Sequence, residues 1–406
     1  MTNSKRGNSA VFLTMILAAL MAITLTLIYG VREESVKSRV DGIVNLAGDS
    51  VMSEFNYEVQ KEYGLFLLKG KDEILQRKLR NYINYSLKYM GETALESVSV
   101  SGGRFSVSNT EPVKEQILEY MKFAKLKDVL VKLYDVDEKT EEEGTNSMEN
   151  RTLRNGAVIV SLPSADVPKK NFTVFAKAIA DEGDGVKAAF SKASEKYLID
   201  SYVFGHFNSR TRAINREHFF KNEVEYALGG EMSDRKNEKR IEMILKAMRF
   251  PPNLAHIYAD PEKRSATLAA AELLTPGPAA LATQAALAST WAYAEADNDV
   301  ELLWQGSKVP IIKSKETWAI DLDSAMEGIL GSTAKPDIEK GYTYQQYLRI
   351  MLYFQDENMK VARIMDLVQI NMRKQYDGTF LIQEHWTGVS IDVKVNGEKF
   401  SYEKKY

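Results

Sequence analysis

Residues 5 to 30 read KRGNSAVFLTMILAALMAITLTLIYG, in which two cations precede an uncharged run from Ala10 to Tyr29. A helix of that length spans roughly 30 Å at about 1.5 Å per residue, which matches the hydrocarbon core of a bilayer. The stretch decides the architecture, because it predicts a membrane anchor whose ends are Ala10 and Tyr29.

A cleavable secretory signal is the alternative interpretation of this run. Such signals have an apolar region of about 7 to 15 residues followed by small residues at the cleavage site. Here the run is longer and continues through the bulky residues Leu27, Ile28 and Tyr29. We therefore expect a signal anchor that stays attached to the protein.

The charges on either side of the run give opposing indications of its orientation. Lys5 and Arg6 favour an N-terminus inside the cell, whereas Arg32, Lys37 and Arg39 follow the run closely on its other side. Because most of the chain follows the run, we favour a single-pass protein of the cell membrane with its C-terminal domain extracytoplasmic.

The composition fits one anchor joined to a folded domain. The chain has 406 residues, is 44% hydrophobic and 27% charged, and carries a net charge of -3. This near-neutral balance offers no general attraction to nucleic acid. No cysteine is present, which excludes disulfides, thiolate nucleophiles and cysteine-metal sites.

A helical pattern continues beyond the anchor. Apolar residues recur every three or four positions, which predicts one long helix over residues 8 to 60 that ends near Gly64. A short linker followed by a separate core helix is the alternative. The apolar face is predicted to be a helix-packing stripe, formed by Val36, Val40, Ile43, Ala47, Val51 and Phe55.

The next region, residues 61 to 230, is predicted to be a mixed α+β ectodomain. Apolar spacing predicts helices from Ile74 to Met90 and from Pro112 to Leu133. An acidic loop is expected over 135–151, then two strands within 156–180 and a helix that runs through Tyr202.

A β-hairpin is predicted between the first two of these helices. The segment LESVSVSGGRFSVS alternates apolar and polar residues around Gly102-Gly103. Pairing across these glycines would place Val100 opposite Phe105 and Val98 opposite Val107.

Residues 231 to 406 are predicted to be mostly helical. One helix is expected to break at Pro251-Pro252, and alanine-rich helices on either side of Pro276-Gly277-Pro278 are expected to form an antiparallel pair. The uncharged residues 277 to 294 could be a second membrane span, but their alanine, threonine and glutamine content favours a buried core helix.

The end of the sequence predicts a helix and a hairpin. Apolar spacing predicts one long helix over roughly residues 344 to 373. Asn396-Gly397 is a strong two-residue turn signal, which sets Val393 opposite Phe400 and Ile391 opposite Tyr402. The predicted class is thus α+β, in four segments, 1–30, 31–60, 61–230 and 231–406.

Catalytic and ligand-binding motifs give little support to an enzymatic function. Four histidines are scattered without a zinc-binding spacing, and the chain contains no nucleophile elbow and no P-loop. A G-x-G-x-x-A match over residues 183–188 lacks a following strand and is interpreted as a turn before a helix. We predict no enzyme activity, cofactor, metal or small-molecule substrate.

Several stretches resemble a known group of proteins. They are GNSAVF at the anchor, AGDSVMSEFN and EYGLF after it, and then KRIEMILKAMRFPPNLAHIYAD, WAYAEADNDVELLWQGSKVPIIKSKETWAI and GYTYQQYLRIMLYF. Together they resemble membrane-anchored proteins of unknown function encoded beside tight-adherence (Tad/Flp) pilus genes in Gram-positive bacteria. The layout is similar to that of the TadE and TadG minor pseudopilins.

The resemblance implies a pseudopilin-like or accessory component of a Tad pilus or secretion assembly. Its implied partners are Tad membrane proteins or pseudopilins. Gly7 is placed where prepilin peptidase would cleave, but Phe12 stands where such substrates carry glutamate, which leaves processing open. An anchored ectodomain that binds or hydrolyses a cell-envelope polymer remains the alternative function.

Overall fold

The computed structural model describes most of the chain. The described residues are 4–70, 72–90, 93–133, 151–154, 159, 161–168, 191, 194–328 and 341–406. Within them the chain is α+β, as predicted, with a long apolar helix first and antiparallel strands last.

Helices predominate among the elements. The α-helices are α1 Ser4–Met52, α2 Tyr57–Tyr63, α3 Asp72–Leu87, α4 Thr110–Leu133, α5 Glu195–His206, α6 Glu223–Gly229, α7 Asp234–Ala259, α8 Pro261–Leu274, α9 Ala280–Trp304, α10 Leu322–Met326, α11 Tyr344–Phe354 and α12 Glu357–Gln375. The strands are β1 Leu68–Lys69, β2 Leu95–Ser101, β3 His385–Trp386, β4 Gly388–Val395 and β5 Glu398–Lys405. Short 3₁₀ helices lie at Gly103–Phe105, Pro163–Asp166 and Ile382–Glu384.

The chain forms two compact units that do not follow the four predicted segments. Unit 1 contains Met1–Asn56, Phe66–Ser106 and Glu384–Tyr406, and unit 2 contains Tyr57–Leu65 and Val107–Gln383. Unit 1 therefore combines pieces that are far apart in the sequence, a grouping that no local pattern indicates.

Helix α1 confirms the long helix but ends before residue 60. The chain leaves the helix after Met52, and the Asn56 amide then donates to the Leu67 carbonyl at 2.8 Å. Because this bond pairs the backbone with the segment before β1, an unbroken helix to residue 60 is excluded.

The predicted end of the helical region at Gly64 is confirmed. Helix α2 ends at Tyr63, and Gly64 follows with φ of 66°. Glycine adopts this left-handed conformation without a Cβ clash. A Cβ at Gly64 would also lie 2.3 Å from Cε2 of Tyr120, so the ring leaves no room for a side chain.

The predicted hairpin around Gly102-Gly103 is wrong. Strand β2 pairs instead with β4 in the antiparallel sheet β2-β4-β5, with Val98 opposite Val393 and Val100 opposite Ile391. The alternating pattern correctly identified the buried face of β2, since Val98 and Val100 are buried. It could not identify the partner strand, which lies almost three hundred residues further along the chain.

The second predicted hairpin is confirmed. Strands β4 and β5 pair in the predicted register, and both predicted cross-strand pairs are present. Asn396 and Gly397 have φ of 49° and 83°, which are the left-handed values that a type I′ turn requires at both central positions.

Helix α7 of unit 2 corrects the predicted break at Pro251-Pro252. It continues through both prolines to Ala259. Proline removes backbone N–H donors and normally ends or kinks a helix. Here the buried side chains of Arg249 and Asn253, on either side of the prolines, both bond to Asp299 of α9 and hold the helix in place.

The alanine-rich helix pair is confirmed as α8 and α9. Gly277 lies between them with φ of 91°. The Gln284 side-chain amide of α9 donates to the Arg264 carbonyl of α8 at 3.1 Å, and alanines such as Ala271 and Ala288 are buried. Small residues thus permit close packing, as the sequence indicates.

The last long helix is two helices. Helix α11 ends at Phe354, and α12 begins after Asp356, whose carboxylate accepts a hydrogen bond from the Met359 amide at 3.1 Å. Asp356 is a side-chain N-cap that the apolar spacing alone does not reveal.

Three predictions fall largely outside the described residues. These are the acidic loop over 135–151, the two strands within 156–180 and the glycine turn at 183–188.

Candidate membrane anchor and buried polar centres

The anchor segment of α1 has no protein partner within the part of the chain that the structure describes. Among those residues one helix is long and apolar enough to cross a membrane, and its apolar window is not buried at all. Phe12 and Leu13 near its start are 66% and 69% exposed, and Ile28 and Tyr29 near its end are 62% and 66% exposed. Exposure of such a continuous apolar surface marks a lipid or protein contact.

The threonine hydroxyl groups in the anchor are satisfied by its own backbone. Thr14 donates to the Val11 carbonyl at 2.9 Å, and Thr26 donates to the Ala22 carbonyl at 2.7 Å. These threonines can therefore enter hydrocarbon without an unpaired hydroxyl proton. Gly7, the predicted processing position, lies in α1 before the anchor.

The predicted packing stripe lies on the protein's own core. Val40, Ala47 and Val51 are at most 5% exposed. Together with the partly buried Val36 and Ile43 they pack into the hydrophobic core of unit 1, which includes residues of α3, β2 and β4. The interpretation of this stripe as a docking surface for another protein is corrected, because its central residues are already covered.

Phe55, the last residue predicted for the stripe, lies beyond α1. Its ring contacts Phe66 and Tyr406 edge-on, with centroid distances of 4.9 and 6.1 Å. Phe55 therefore belongs to a small aromatic cluster of unit 1.

Polar contacts fix strand β5 along α1. Lys404 Nζ lies 2.7 Å from Asp49 Oδ1, and the Tyr402 hydroxyl bonds to the carboxylate of Asp41. At the other end of β5, Lys37 and Glu398 form an ion pair at 3.3 Å. The anchor is consequently joined to the rest of unit 1 through one continuous helix held by both apolar and polar contacts.

Unit 2 contains a buried ion cluster, which we define as Arg249, Asn253, Glu295, Asp299 and Lys313. Arg249 Nε donates to Asp299 Oδ2 at 2.9 Å, while Lys313 Nζ lies 2.6 Å from both Asp299 Oδ1 and Glu295 Oε1. The four charged side chains are at most 1% exposed. Two cations and two anions balance, so no net charge is buried.

The buried ion cluster holds the segment that follows α9. Arg249 donates to the Ile311 carbonyl at 2.6 Å, and Glu295 accepts the Ile320 amide at 2.8 Å. Trp291 and Trp318 both donate their indole N–H to the Ile320 carbonyl, at 2.8 and 2.7 Å. Each charged side chain of the buried ion cluster contacts a backbone group or an opposite charge. The cluster therefore holds this loop in place.

A second polar centre surrounds Glu223 of α6. Its Oε2 accepts the Asn208 amide at 2.8 Å and lies 2.7 Å from His218 Nδ1. His218 Nε2 is 3.4 Å from the hydroxyl of Tyr63. His218 and Glu223 are arranged like an acid–base pair. Both side chains are buried, however, with 3% and 0% exposure.

Four carboxyl groups, each completely buried, have pKa values above their usual range. Burial raises the pKa of Glu225 to about 7 and that of Asp366 to about 6. Burial also raises the pKa of Asp200 and of Asp234. All four are 0% exposed, so they can exchange protons only with a rearrangement of the interior.

The other histidines lie apart from one another. His206 stacks on Tyr202 and His256 on Trp318, with centroid distances of 4.2 and 5.2 Å, and burial lowers the pKa of both. His385 is buried in β3. Within the described ranges no group of three or more histidine, aspartate or glutamate residues could hold a metal ion.

Replacement of Glu225 with glutamine is expected to change how stability depends on pH. A pKa raised in the folded state stabilises the fold at low pH, and this stabilisation is lost as the pH rises from 4.5, the usual value, to about 7. Glutamine keeps an oxygen that can accept from the Arg210 amide and the Tyr344 hydroxyl. Relative to that of the wild type, the free energy of unfolding of the variant should therefore rise by about 2 to 3 kcal/mol between pH 5 and pH 8.

Urea unfolding of the full chain in detergent, followed by tryptophan fluorescence, measures this difference. Glu119→Gln, which removes one exposed carboxyl group, is the control. Parallel pH curves for Glu225→Gln and the wild type would contradict the role given to Glu225.

Within the described residues, these features define an α+β protein with one candidate membrane-spanning helix and buried polar centres that hold loops. The model of a family of unknown function (DUF5702) matches residues 135–397. The chain belongs to this family. No curated protein and no solved structure matches it.

The sequence interpretation missed both polar centres. One signal was present, because Glu295 and Asp299 are four residues apart in the alanine-rich α9 and so share a face of the helix. Nothing in the spacing identified Arg249 or Lys313 as their partners.

Proposed function

We propose that the protein is a single-pass membrane protein that acts as a pseudopilin-like or accessory component of a Tad-type pilus or secretion assembly. Its helix lies in the membrane, and the domain after the helix is extracytoplasmic and works through protein contacts. The observation that carries the proposal is the fully exposed apolar anchor of α1, which no other described part of the chain covers.

The division of α1 supports a role in assembly within the membrane. Its second half is occupied by the core of unit 1, so the surface left for another helix is the anchor itself. Because water is absent there, association depends on close packing. Small residues such as Ala18, Ala19 and Ala22 offer such packing.

The state of the acidic groups supports a role without catalysis. A catalytic carboxyl group must reach its substrate. Each carboxyl group with a raised pKa in the described residues is instead completely buried and bonded to backbone or to another side chain. The link to Tad assemblies rests on the sequence resemblance.

Site-specific photo-crosslinking in the native cell tests the assembly role. A photoreactive residue at Leu13 or Leu20, which share a face of the anchor, should yield adducts with Tad membrane subunits. Leu46 is the matched control, because it lies on the same helix beyond the anchor and is 66% exposed. Adducts with lipid or with the protein itself alone would contradict the proposal.

The proposed orientation has a separate test. Since the chain has no cysteine, single cysteines can be introduced at Ser4 and at Ile312, which is 80% exposed. A membrane-impermeant maleimide should label Ile312→Cys in intact cells, and Ser4→Cys after the membrane is opened. The reverse pattern would overturn the orientation and leave the anchor intact.

A further inference from the structure

A groove lies beside α1 where the anchor ends. It has a volume of about 630 Å³, within the range of small-molecule sites. Its apolar wall includes Ile28 and Val31 of α1 and Met90 after α3, and its polar wall includes Arg32 and Arg39. The groove thus combines an apolar surface with two cations within unit 1.

The two arginines share one face of the helix and have no acidic partner. Seven residues separate them, which returns nearly to the same side of an α-helix. Within the described residues no carboxylate pairs with either one, whereas Lys37, on another face, is paired with Glu398. Glu33 and Glu34 also project from other faces. Two exposed positive charges therefore remain uncompensated at the groove.

Arg32 lies at the depth of the headgroup layer of a bilayer, and Arg39 lies beyond it. At 1.5 Å per residue, the Cα atoms of Arg32 and Arg39 lie roughly 4.5 and 15 Å beyond that of Tyr29. The headgroup layer extends about 5 to 7 Å beyond the hydrocarbon on each side. Helical side chains lean toward the N-terminus, so Arg39 reaches back toward this layer.

We propose that the groove binds an anionic phospholipid, with its phosphate at Arg32 and Arg39 and an acyl chain against Ile28 and Val31. Arginine offers the planar donors that recognise phosphate. A lipid uses both walls of the groove, whereas a free phosphate ion would use the cationic wall alone. The inference rests on the proposed membrane span and adds a ligand to it.

Native mass spectrometry of the full chain released from nanodiscs tests the proposal. Discs that contain phosphatidylglycerol and phosphatidylcholine in equal amounts should yield protein with phosphatidylglycerol retained. Each arginine near the surface contributes about fivefold to the affinity for anionic lipid, so Arg32→Gln/Arg39→Gln should lower retention on the order of thirtyfold. Millimolar inorganic phosphate should not displace the lipid.

Lys37→Gln is the matched control, because it removes a cation from the same turns of α1 but from another face. A loss of about fivefold in this single variant, equal to the share expected of each arginine, would show diffuse attraction and overturn the site. Displacement by inorganic phosphate would assign the site to a free anion. Wild-type protein that enters discs but retains both lipids equally would refute the site alone, and failure to enter discs would refute the span and the site together.

Discussion

Replacement of Asp299 with alanine is expected to destabilise unit 2 by about 3 to 5 kcal/mol. Asp299 is completely buried and contacts Arg249 at 2.9 Å and Lys313 at 2.6 Å. Without it, two cations stay in the interior with one carboxylate, that of Glu295. The loss of a buried partner costs far more than the net value of the ion pair, because the remaining charge stays desolvated.

Unfolding of the full chain in detergent by urea, followed by tryptophan fluorescence, measures the effect. Trp291 and Trp318 report on the same region, since both bond to Ile320. Lys315→Ala is the control, because it removes an ion pair to Glu262 whose side chains are 63% and 74% exposed. Exposed pairs contribute little, so a similar loss in both variants would contradict the importance of the buried ion cluster.

Replacement of Leu20 with arginine is expected to lower the equilibrium constant for membrane insertion of the helix by about a hundredfold. Leu20 lies at the centre of the uncharged run, where an arginine costs about 2.5 to 3.5 kcal/mol on insertion scales. The double variant Leu17→Arg/Leu20→Arg should roughly double this cost. The fraction of full-length protein that resists alkaline extraction from membranes measures the outcome.

Leu46→Arg is the control, because Leu46 lies on the same helix but beyond the proposed membrane span, where an exposed side chain faces water. Leu20 and Leu46 are 53% and 66% exposed, so the protein fold alone treats them alike. If both variants remain integrated equally well, Leu20 does not face lipid and the anchor is misassigned.

Features carried by local sequence were predictable. The exposed apolar helix, the glycine end of α2 and the β4–β5 turn each depend on a few adjacent residues whose physical preferences are strong. Asn396-Gly397, for example, sets both the turn and the register of its strands.

Features that depend on distant residues were not predictable. The alternation in β2 indicates that Val98 and Val100 are buried, but it does not identify the partner strand. The sequence favours the nearby segment at Phe105, whereas β2 pairs with β4. Likewise, the stripe on α1 was recognised as a packing surface, while its partner was wrongly placed outside the chain. Periodicity identifies a face and leaves its partner undetermined.

The buried ion cluster also depends on residues that are distant in the sequence, so it was not predictable. Arg249, Asp299 and Lys313 are ordinary charged residues in a chain that is 27% charged. Only their meeting in the folded state distinguishes them from residues on the surface.

The composition of unit 1 has a consequence for biosynthesis. Strands β4 and β5 pack on α1, yet the ribosome makes them hundreds of residues after α1. During that delay Val40, Ala47 and Val51 lack the part of their cover that β4 supplies, although α3 and β2 are already made. A chain that ends before Glu384 would lack this part of the cover permanently.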